Sequence, residues 1–112
     1  MKIVKLKDVE ISQNPHGVDA RKIYDTENGV AVVITLRPKE SLKRHITPVD
    51  VFFYVLEGEG IVEIGKEKQK VVKDSLVESP AKIPHCWYNE SDKILKVLVV
   101  KLPRPEEKTK IL

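Results

Sequence analysis

The chain has 112 residues, room for one domain and not for two. Charged residues make up 33% and hydrophobic residues 41%, the balance of a globular protein with a charge-rich surface. The net charge of +3 comes from interleaved signs, as in Lys66-Glu67-Lys68, with no one-sided basic stripe, so nucleic acid is not an expected partner.

Other features narrow the class further. Cys86 is the single cysteine, so no intramolecular disulfide can form, which fits a reducing cytosol. No apolar stretch approaches the ~20 residues needed to span a bilayer. Met1-Lys2-Ile3-Val4-Lys5 carries charges where a signal peptide needs an apolar run. A cytoplasmic protein without a membrane partner is expected. Lys and Glu far outnumber Gln (Gln13 and Gln69), a bias shared with hyperthermophile proteins.

In chain order, Lys2 to Ile11 alternates charged and apolar residues. It reads as an edge strand or an arm reaching a partner subunit. Asp19 to Thr26 reads as a short turn or an irregular strand. The runs Val30 to Leu36, Val51 to Leu56, Ile61 to Ile64, Val71-Val72, Leu76-Val77 and Ile94 to Leu102 are rich in β-branched and aromatic residues and read as strands. Turn-prone residues separate them, among them Glu27-Asn28-Gly29, Arg37-Pro38, Glu57-Gly58-Glu59-Gly60, Gly65-Lys66 and Lys73-Asp74. Lys96 and Lys101 fall within the last apolar run. The stretch 103–112 has two prolines and five charges and is expected to lie extended over the surface or to be mobile. The expectation is a single domain over 1–112: an N-terminal strand segment 1–27, a barrel core of about 28–102 and a C-terminal tail 103–112.

Three histidines are the candidates for chemistry: His16, His45 and His85. His45 precedes a strong strand pair, and His85 begins a strand-like stretch. Side chains at alternate positions of a strand share a face, so Thr47 should go with His45, and Trp87 and Asn89 with His85. Cys86 then falls on the other face from His85, as a small buried hydrophobe.

The stretch from Glu40 to Gly58 contains His45-Ile46-Thr47 and runs into the turn Tyr54-Val55-Leu56-Glu57-Gly58-Glu59-Gly60. The stretch from Asp74 to Asn89 contains Pro80, His85 and Asn89. Together they resemble the two motifs of small cupins, G-x5-H-x-H-x3,4-E-x6-G and G-x5-P-x-G-x2-H-x3-N, and lie within residues 40–89, about half the chain. The resemblance implies an all-β cupin jelly-roll barrel, or double-stranded β-helix, with a ligand or metal site in its mouth and a homodimer as the common assembly. Departures from the motifs bear on the site. Thr47 stands at the second His position and Val51 at the Glu position. Asp74 and Lys82 stand where the second motif has glycine.

Two of the four usual metal ligands are therefore missing, whereas metal sites generally use about three or more. The metal set the resemblance suggests is His45 and His85, with Asp50 as a third ligand if a bulge turns it inward, for Mn, Fe, Ni or Zn. His16 is the other candidate for that place. Thr47, Phe53, Trp87 and His16 are expected to meet a small-molecule ligand.

Three functions stay open. One is a small-molecule-binding cupin with or without a divalent metal. The second is a metal-dependent enzyme of oxygenase or isomerase type. The third is a metal-free structural or regulatory dimer. Whether the protein is an enzyme is left undecided by the residues.

Overall fold

The computed structural model describes all 112 residues. A 3-10 turn at Leu6–Asp8 precedes ten strands: β1 (Asp19–Thr26), β2 (Gly29–Leu36), β3 (Ser41–Ile46), β4 (Asp50–Glu57), β5 (Glu59–Ile64), β6 (Glu67–Val72), β7 (Leu76–Ser79), β8 (His85–Tyr88), β9 (Leu95–Leu102) and β10 (Lys110–Ile111). They form two five-stranded sheets, in the orders β1-β2-β9-β4-β7 and β10-β3-β8-β5-β6. Every pairing is antiparallel. The two sheets enclose one core, which is the jelly-roll barrel expected from the sequence. No helix is long and apolar enough to cross a membrane.

Period-two burial explains which side chains enter the barrel. On β4, Val51, Phe53 and Val55 are buried, and on β9 Leu95, Val97 and Val99 are buried. Leu42, Val62 and Trp87 meet them from the second sheet. Burial of this apolar surface is the main drive for closing the barrel, at about 25 cal/mol per Å². Lys101 is the next position of the same parity on β9, so its side chain faces inward at the end of the barrel.

Two details fix the connections. The reversal from β4 to β5 runs through Gly58, whose φ is +81°, and a Cβ there would strike the Ile94 carbonyl. Asn89 is 1% exposed; its amide donates to the Leu36 and Lys93 carbonyls, and its side-chain oxygen accepts from the Ser91 amide and hydroxyl. It thus ties the end of β2 to the turn after β8.

The segment Asp19–Thr26 is a strand with a bulge between Lys22 and Tyr24. The N-terminal expectation is corrected. Residues 2–11 form no edge strand: although β1 is the edge of its sheet, the arm holds only the short turn at Leu6–Asp8. The tail lies over the surface and ends in β10, paired with β3 at Ile46 and His45.

Candidate functional site

The site begins with an irregularity in β3. Leu42 pairs with Trp87 and His45 pairs with His85, so two residues of β3, Lys43 and Arg44, stand opposite Cys86 alone. This is a β-bulge. Without it Leu42 and His45, three apart, would face opposite ways; with it both are buried. Arg44 is turned outward and ion-pairs with Glu63 at 2.7 Å.

The bulge also frees the backbone of Lys43. Its N–H donates to His16 Nδ1 at 2.9 Å, and its carbonyl is 2.5 Å from His45 Nδ1. The loosened backbone of one residue therefore positions two imidazoles. His16 reaches that place on a braced loop. Asn14 Oδ1 accepts from the His16 N–H, and Asn14 Nδ2 donates to the Ser12 and Val18 carbonyls.

The partners determine the protons. A carbonyl can only accept, so His45 carries its hydrogen on Nδ1. Its Nε2 is then a lone pair, 2.9 Å from His85 Nε2. His85 Nε2–H must donate to it, and His85 Nδ1 must accept from the Ser79 hydroxyl at 2.7 Å. His16 Nδ1 accepts from an N–H, which leaves its hydrogen on Nε2. Each ring carries a single proton, and of the three only the His16 Nε2–H is left without a partner.

Electrostatics agree. Burial holds His85 down to about 3, and His45 and Lys101 push in the same direction. Burial holds His16 down to about 4, with His45 and Lys43 adding to it. Burial also lowers His45, against the opposing pull of its bond to the Lys43 carbonyl. At neutral pH the cluster is uncharged.

A cavity of about 150 Å³ opens beside it. His16 and His45 form its polar side, and Val32, Ile34, Phe53 and Val99 its apolar side. Phe53 stands edge-on to His85, with ring centroids 5.2 Å apart, and edge-on to Trp87 at 5.4 Å.

The candidate residues separate accordingly. His16, His45 and Phe53 line the cavity. His85 and Thr47 sit directly behind His45, both nearly inaccessible, with Thr47 Oγ1 3.4 Å from His85 Nε2. Trp87 packs behind Phe53 and does not line the hollow; its buried Nε1 has no partner. Asp50 is not brought to the histidines. It is exposed on β4, opposite in parity to buried Val51, and its carboxylate accepts from the Ala81 N–H at 2.8 Å. Lys101 also lines the cavity. Sequence reasoning marks it only as a charge inside an apolar run, although its parity with Val97 and Val99 is visible there.

The fit of a divalent metal can be judged on these atoms. His45 and His85 could both turn Nε2 lone pairs inward if His85 donated instead to Ser79, the anchoring a metal-bound imidazole wants. Yet no group of three His, Cys, Asp or Glu side chains is placed to hold one metal ion: His16, His45 and His85 meet, but His16 spends its Nδ1 on the Lys43 N–H. The one charged group lining the cavity is the Lys101 ammonium, which repels a cation. The residues present do not make up a resident metal site.

The cupin domain model matches residues 32–101. The uncharacterized protein MJ1618 of Methanocaldococcus jannaschii is 32% identical over 84% of this chain and 90% of its own. The crystal structure of TT1209 from Thermus thermophilus is 31% identical, covers 94% of this chain and all of that one, and superposes with a TM-score of 0.80. The polyketide cyclase RemF from Streptomyces resistomycificus shares the fold, with a TM-score of 0.84 at 22% identity over all of this chain and 85% of its own.

Proposed function

The chain belongs to the cupin family, and from that premise we propose that it binds a small molecule in its barrel cavity without a resident metal. The observation that carries this reading is the hollow of about 150 Å³ where His16 and His45 face an apolar wall. Pockets that bind small molecules combine a mostly apolar lining with a few convergent polar groups. The volume is below the roughly 300 Å³ at which drug-sized pockets begin, so the ligand is small. The neutral cluster offers hydrogen-bonding groups and no strong electrophile. Recognition therefore accounts for the residues better than metal-assisted oxygenase or isomerase chemistry does.

The test is thermal unfolding of chelator-treated protein against small organic fragments and, separately, against Mn, Fe, Ni and Zn. A ligand at 100 times its Kd adds about 2.7 kcal/mol to stability. For a domain of this size that is several degrees in Tm, on the order of 10 °C. The expected result is stabilisation by some fragments and none by the metals. A metal that copurifies stoichiometrically, or one that raises Tm in the wild type but not in His45→Ala, would overturn the metal-free reading. No stabilisation by any fragment would remove the binding function.

A further inference from the structure

We propose that the ligand of this cavity is a small organic anion, a carboxylate on a short apolar body, with Lys101 as its counterion; this rests on the binding function proposed above. The strand parity that buries Leu95, Val97 and Val99 carries the Lys101 side chain into the same enclosure. Six ion pairs engage other charged groups of the protein, and Lys101 is in none of them. No hydrogen bond from its ammonium to another group is made either. No Asp or Glu lines the cavity. A half-buried cation surrounded by neutral imidazoles and aliphatic side chains lacks the partner that such a group normally needs. Burial lowers its pKa, with repulsion from Lys22 adding to this, as expected for an ammonium short of a counter-charge.

The other polar groups point the same way. Ser12 and Asn14 line the cavity, but their donors are already committed to the carbonyls of Ala20, Ser12 and Val18. His16 keeps Nε2–H available, because its Nδ1 accepts from the Lys43 N–H. Thr109 adds a hydroxyl at the rim. The free groups are thus one ammonium, one N–H and one hydroxyl, a set rich in donors that suits a carboxylate. Val32, Ile34, Phe53 and Val99 would cover its hydrocarbon part.

The experiment is calorimetric titration at pH 7 with matched pairs, benzoate against benzamide and butyrate against butyramide. It is run on the wild type, Lys101→Met and Lys101→Arg. In the wild type at least one carboxylate should bind about tenfold or more tightly than its amide. That preference should vanish in Lys101→Met and largely survive in Lys101→Arg. The wild-type comparison needs no variant, so a poorly folded variant leaves the test intact. Equal binding of carboxylate and amide, or a preference unchanged in Lys101→Met, overturns the anion and leaves the binding function standing. If none of the four probes binds the wild type, the inference falls. The binding function falls with it only if the wider fragment panel also fails.

Discussion

Acidification from pH 7 to pH 4.5 is expected to remove about 2.7 kcal/mol of stability through His85 alone. The unfolded imidazole takes up its proton near pH 6.5, whereas the folded one, 2% exposed and held to about 3, stays neutral. Between those values the unfolded state binds more protons, so stability falls as pH falls. Two pH units below 6.5, at about 1.36 kcal/mol each, give the figure. The loss levels off only below about pH 3, where folded His85 also protonates. A domain of this kind has about 5–15 kcal/mol in all, so the effect is a large part of it. Urea unfolding at pH 7, 5.5 and 4.5 should show the loss in the wild type. The drop should be smaller by about 2–3 kcal/mol in His85→Gln, which cannot titrate. Parallel curves for the two proteins would mean that His85 is not held neutral by the fold.

Phe53→Ala is expected to destabilise the protein by about 3–5 kcal/mol. Phe53 is 1% exposed and stands between His85 and Trp87 while forming one wall of the cavity. Its removal loses the transfer free energy of the ring and leaves a void that the stiff sheets close only in part. The void joins the existing hollow. Benzene-sized molecules should therefore restore part of the loss in the variant, by mass action, and do much less for the wild type. Denaturant unfolding with and without benzene measures both effects. A cost below about 1 kcal/mol would show that the ring is not a packed wall.

The strands are legible because β-branched runs with turn residues between them say strand directly. Val30 to Leu36, Val51 to Leu56 and Ile61 to Ile64 lie inside β2, β4 and β5. The meeting of His45 with His85 comes from motif spacing; strand parity by itself does not supply it. The bulge at Lys43 and Arg44 turns His45 inward, and a bulge is a backbone event with no side-chain signature here. The alternation in Lys2 to Ile11 suggests an edge strand, but alternation describes a surface and does not provide a neighbour to pair with. Asp50 stands beside the motif's Glu position. Regular β4 pairing sends it outward, where its carboxylate accepts from the Ala81 N–H. Lys101 is within reach of parity counting, but a lysine near a strand end is usually solvated, and its isolation shows only in three dimensions.

Imidazole nitrogen NMR between pH 7 and pH 4.5 probes the account most directly, because it reads each ring's proton. The expected spectrum has three neutral rings at pH 6, with hydrogen on Nδ1 of His45 and on Nε2 of His16 and His85, and with His85 unchanged down to pH 4.5. Rings that titrate together near pH 6.5, as solvated histidines do, would contradict it and dissolve the neutral cluster beside the cavity.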